Sequence, residues 1–190
     1  AISECGVGSF AWSALVLVDR SKFKSRVPEK LADVLRELKE KSLLTKDDVV
    51  EQNLIGNMCL GIQKHVCLPV ERFRFLCELN PGALRNPCMV TGDASFDHLL
   101  PLVWSCSLKE IEWFGIVLEE TLKYYRTDLG FVFHKHGGSP SKSSYQCACD
   151  QYGKEQVIEL IVKHSNQIAF DEVSPNLKSA ILVLNAAGGG

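Results

Sequence analysis

No apolar run in the sequence reaches the roughly 18 residues that a membrane-crossing helix needs, so no transmembrane span is expected. No charged-then-apolar leader precedes a small-residue cleavage site, and the mark of a secretory signal is therefore missing. N-x-S/T glycosylation acceptors are absent as well. So are G-x-G-x-x-G, the Walker loop, H-E-x-x-H and the EF-hand spacing, which leaves the best-known nucleotide, zincin and calcium motifs unrepresented. Basic charge is not in excess: 21 Lys and Arg against 23 Asp and Glu give a net charge of -2 and a pI near 6.2. A general nucleic-acid binder usually has a strongly basic footprint, so that class is disfavoured. Cysteine, with 8 residues in 190, stays well below the roughly 8–10% of disulfide scaffolds.

What is there is ordinary globular composition: 46% hydrophobic, 23% charged, mean hydropathy near zero at +0.02. The length suffices for one good hydrophobic core or two small ones sharing a face. The cysteines at 5, 59, 67, 77, 88, 106, 147 and 149 are scattered, several inside helix-like apolar patterns. That distribution suits free, partly buried thiols in a reducing, intracellular setting.

Along the chain, FAWSALVLV (residues 10–18) reads as a buried strand. Pro28 suits the first turn of a helix, and Leu31, Val34, Leu35 and Leu38 follow at i, i+3, i+4 and i+7, with Glu37 and Lys41 paired on another face. That helix is expected to end near Leu43. Thr45 caps the next one, with Asp47 and Asp48 complementing its dipole, and the pattern runs on through Val50, Leu54, Met58 and Ile62 to a stop at Pro69. VERFRFLCEL reads as a third helix, and NPGALRNP as a turn-rich break. LPLVWSC reads as a strand, and Ser107 with Glu110 as a capping box ahead of a helix lined by Leu108, Ile111, Phe114, Leu118, Leu122 and Tyr125. Gly130 is the expected stop; FVFHKH and SSYQCAC read as two strands across a Gly/Ser/Pro turn. KEQVIELIVKHSNQ gives a further helix and SAILVLN a last strand. Helices and strands mixed without βαβ alternation predict an α+β fold: a mixed or antiparallel sheet with about five helices. The expected organisation is one domain over 1–187, with a possible lobe boundary near 80–88, and a flexible tail at 188–190.

Chemistry concentrates in FHKHGGSPSKSSYQCACD, residues 133–150. Residues two apart on a strand share a face. A hairpin would therefore gather His134, His136, Cys147 and Cys149. Two imidazoles and two thiolates suit a tetrahedral zinc ion, although H-x-H with C-x-C is not the common ligand spacing. A second cluster, Cys59, His65 and Cys67, reads as core packing, since Cys59 and His65 leave a helix on different sides. For a cysteine protease, Cys106 just before the capping box or Cys88 is the candidate nucleophile, with His134 or His136 as base. Ser107 follows Cys106 and Met89 follows Cys88, whereas viral leader proteases place Trp or Tyr there. His164 borders an apolar helical face and takes no role. Asp93 and Asp97 beside His98 lack a nucleophile elbow. Arg20, Lys22, Lys24 and Arg26, around Phe23, could touch phosphate but read better as a solvated loop.

The chain starts at Ala1 without Met and ends LNAAGGG. Ubiquitin-like carriers end in Gly-Gly because only glycine passes their activating enzymes, though such folds need fewer than half these residues. Papain-like proteases of positive-strand RNA viruses cut after Gly-Gly for the same steric reason. Through Ala1, Gly188, Gly189 and Gly190 the sequence resembles a mature, amino-proximal non-structural protein of coronaviruses and related nidoviruses. The resemblance implies release by a papain-like protease and a role in the host cytoplasm. Such proteins mostly modulate the host or assist replication through protein contacts, and mostly without enzymatic activity. The alternatives are a leader cysteine protease cleaving after its own C-terminal glycine and a small zinc-binding interaction module.

Overall fold

A computed structural model describes residues 27–61, 70–87, 99–108, 110–126, 130–133, 135 and 142–165. Their order is α1 (Val27–Glu40), α2 (Lys46–Glu51), α3 (Leu54–Gly61), α4 (Val70–Leu79), a 3₁₀ turn (Pro81–Leu84), α5 (Pro101–Ser105), α6 (Ile111–Tyr124), α7 (Gly130–Phe133), α8 (Ser144–Tyr152) and α9 (Lys154–Ser165). Every one of these elements is helical, which overturns the α+β expectation for the described residues. Among them extended pairing is reduced to isolated bridges, such as the antiparallel one between Lys135 and Ser143. The expected strands at 10–18 and 179–185 lie outside the described residues.

Helix α1 forms where expected, but of the anticipated stripe Leu35 is buried, Leu38 is partly buried and Val34 is exposed, while Ala32 is buried beside Leu35 and the Glu37–Lys41 pair is exposed. It ends where Ser42 turns left-handed (φ 56°), and the N–H groups of Leu43 and Leu44 donate back to the Leu38 carbonyl. Thr45 is the N-cap of α2, as its sequence indicates. Its hydroxyl accepts from the Asp48 N–H while the Asp48 carboxylate accepts from the Thr45 N–H at 2.7 Å, a reciprocal capping box. The single long helix expected after it is two, because Asn53 takes a positive φ of 46° and breaks the run. Asn57 Nδ2 then donates to the Gln52 carbonyl at 2.9 Å and steadies the break.

LPLVWSC, expected as a strand, contains α5. Pro101 occupies the first turn, where a missing N–H costs nothing, and all five residues of the helix are buried. A segment buried on every side shows no periodicity, so its sequence cannot separate strand from helix. The expected Ser107–Glu110 capping box is not formed: the Ser107 hydroxyl donates to the Trp104 carbonyl at 2.7 Å, and Glu110 is the N-cap of α6 without a side-chain cap bond. FVF of the next expected strand is α7, a single helical turn that Gly130 begins where a stop was expected.

Helix α6 lies at the centre, against α9, α5, α4 and the 3₁₀ turn. Leu35, Leu54 and Phe73 from before the proposed 80–88 boundary join Leu102, Phe114, Leu118 and Ile161 from after it in one contiguous apolar cluster. The α6–α9 crossing is close. A Cβ on Gly115 would stand 3.1 Å from Leu160 Cδ1, tighter than ordinary van der Waals contact. The same helix buries Glu120, 2% exposed, within the apolar layer. Arg74 Nε on α4 lies 3.1 Å from Glu120 Oε1, and Lys123 Nζ lies 3.6 Å from Oε2.

Two stability predictions follow from this packing. Removing a cation from a buried carboxylate costs more than replacing the carboxylate, because the first leaves charge uncompensated. Arg74→Ala is expected to lose about 2 kcal/mol, with Lys123 still present, while Glu120→Met changes stability by less than about 1 kcal/mol; urea denaturation of both variants checks the order. Gly115→Val is expected to cost about 2 kcal/mol through overpacking against Leu160, read as a lowered melting temperature with an unchanged far-UV spectrum.

Candidate functional site

The cysteine-bearing segment 143–152 is built as a helix from its first residue. Ser143 is the N-cap of α8: the Ser143 hydroxyl accepts from the Gln146 N–H at 3.2 Å, and Gln146 Oε1 accepts from the Ser143 N–H at 3.0 Å. Gly153, at φ 90°, ends the helix with its N–H on the Cys149 carbonyl. The S-x-x-Q spacing and the closing glycine are both visible in the sequence, and they carry the signal that the two-residue spacing of Cys147 and Cys149 obscured.

The consequence for the expected metal clip is direct. On a strand Cys147 and Cys149 would share a face; on α8 they point about 200° apart. The face turned to the core carries Ser144 and Ala148, both fully buried, and the two cysteines leave the helix on opposite sides of it, each half-buried. The strand alternation that placed both thiols on one ion is therefore absent. His134 and His136 lie outside the described residues, though Lys135 between them forms the antiparallel bridge to Ser143 and so brings the chain back against the start of α8. Among the described residues, no three His, Cys, Asp or Glu side chains are grouped to hold a metal ion.

Cys106 stands on the inward side of α8. It is the C-cap of α5, not the start of α6, so it does not hold the helix-start position in α6 that the protease reading gave it. Its thiol is 5% exposed and points between the Leu102 carbonyl at 3.4 Å and the Ser144 carbonyl at 3.7 Å. At the other end of α8 the Tyr152 hydroxyl lies 3.0 Å from the Ser105 carbonyl and 2.8 Å from that of Leu108, sharing one proton between them. The α5–α6 turn is thus clasped at both ends of α8. Phe114 and Phe133 complete the clasp, with ring centroids 6.5 Å from Tyr152 and 5.3 Å from Tyr145.

Electrostatics make this a site of protonated groups. Burial pushes the Cys106 thiol well above its usual range, and the neighbouring Cys147 and Cys149 push it further. Cys147 is raised by burial, with the Lys142 ammonium pulling partly down and Asp150 pushing up. Cys149 is raised by burial, against a hydrogen bond from Tyr145 that pulls down; Tyr145 in turn is pushed up to about 12 by burial and by that same contact. Cys77 on α4 is raised by burial and then by Glu120. A nucleophilic or metal-binding cysteine needs the thiolate, which this surrounding disfavours. Cys59 is buried in α3. Cys88, His65, Cys67, Asp93, Asp97, His98, the Arg20–Lys22–Lys24–Arg26 loop and Gly188, Gly189 and Gly190 lie outside the described residues. No helix of the described residues is long and apolar enough to cross a membrane.

Comparison with protein-family models, curated proteins and solved structures found no match to this chain.

Ser143→Ala removes the cap and is expected to cost about 1 kcal/mol. It should also speed iodoacetamide labelling of Cys147 and Cys149, followed peptide by peptide by mass spectrometry, because the first turn of α8 frays. In wild type, Cys106 and Cys77 are expected to label far more slowly than this half-buried pair. The raised thiols also fix a pH trend. A folded pKa above the unfolded value of about 8.5 gives stability that is whole below that pH and is lost as pH climbs through it. Melting temperature should therefore fall from about pH 8 to pH 10, and the fall should be shallower in a Cys77→Ala, Cys106→Ala double variant.

Proposed function

We propose that this chain is a non-enzymatic product of a viral replicase polyprotein that works in the host cytoplasm through protein contacts, modulating the host or assisting replication. The observation that supports a non-catalytic role is the state of its thiols: Cys77, Cys106, Cys147 and Cys149 are all held above their ordinary range, with burial as the first cause of each shift. A leader protease acting through Cys106 would need the opposite environment, a thiolate stabilised by a helix start or a neighbouring cation. The viral part of the proposal rests on the sequence resemblance alone.

For contacts, the first two helices and the turn between them offer apolar side chains to solvent. Leu43 is 60% exposed, and Val34 and Val50 are each 38% exposed, among charged neighbours such as Asp33, Glu37 and Lys41. Isolated exposed aliphatics are common on protein surfaces. Leu43 stands apart from that background because it is the most exposed large apolar side chain among the described residues.

Two measurements test the proposal. A reporter fused after Gly190 is expected to stay attached in the purified fusion and to be released only when a papain-like protease is added. Self-release that disappears in Cys88→Ala or Cys106→Ala would establish the protease instead. Cross-linking of the tagged chain in eukaryotic cytosolic extract is expected to join a discrete partner through the Val34–Val50 region. Leu43→Asp, whose side chain lies in solvent and leaves the core untouched, should abolish that product; a chain that cross-links to nothing overturns the proposal.

A further inference from the structure

We draw no further inference here: the strongest candidate, the side-chain cluster of Cys106, Cys147 and Cys149 where α5 lies against α8, belongs to the site already described, and with Cys147 and Cys149 leaving α8 on opposite sides of that contact nothing in the structure gives it a ligand or a cross-link.

Discussion

Everything described in this molecule depends on the burial of α6. Its apolar residues run so far around the helix that Trp113, Phe114, Val117, Leu118 and Leu122 cannot all be satisfied by one neighbour. Four elements therefore surround it: α9 at the Gly115 crossing, α5 before it in the chain, α4 from the amino-terminal half, and the 3₁₀ turn. Glu112 and Lys123 keep one side of the helix in solvent, and the rest of its circumference has to be covered by other elements. This explains why one core cluster spans both sides of 80–88, a stretch that composition marks as a break. It also explains the buried Glu120, whose carboxylate would be costly so deep in the layer without Arg74 reaching across from α4.

The same geometry separates what the sequence reveals from what it hides. Helices with one wet face declare themselves: α1, α4 and α9 are helices where expected, and the Thr45 cap, which is chemistry local to four residues, is formed as read. Concealment begins where both faces are covered. All of α5 is buried, so PLVWS has no polar side to give it a period, and β-rich Val and Trp tilt the reading towards strand. α8 fails for a different reason. The two-residue spacing of Cys147 and Cys149 suits one face of a strand, while the residues that decide the structure, Ser143, Gln146 and Gly153, lie at and near the ends of the helix. One such pair is weaker evidence than a cap at each end.

That error carried through to the candidate site. Grouping His134, His136, Cys147 and Cys149 required two strands, and the change of C-x-C from strand to helix rotates one thiol away from the other. What replaces the metal clip is a packing device: α8 holds the α5–α6 turn through Tyr152 at one end and against Cys106 at the other. No pattern in the sequence connects Cys106 with residues almost forty positions later, since only the folded chain brings the α5 cap against the first turn of α8.

The thiols then bear on function through their energetics. A thiol does chemistry only as a thiolate, and each half-buried or buried thiol whose titration shifts is shifted away from that form. Their value to the fold is that of small hydrophobes, able to fill a helix–helix contact and to give a weak hydrogen bond to a spare carbonyl, as Cys106 does to Leu102 and Ser144. Along α1, the turn after it and α2, the apolar side chains left in solvent, Val34, Leu43 and Val50, stand among charges of both signs.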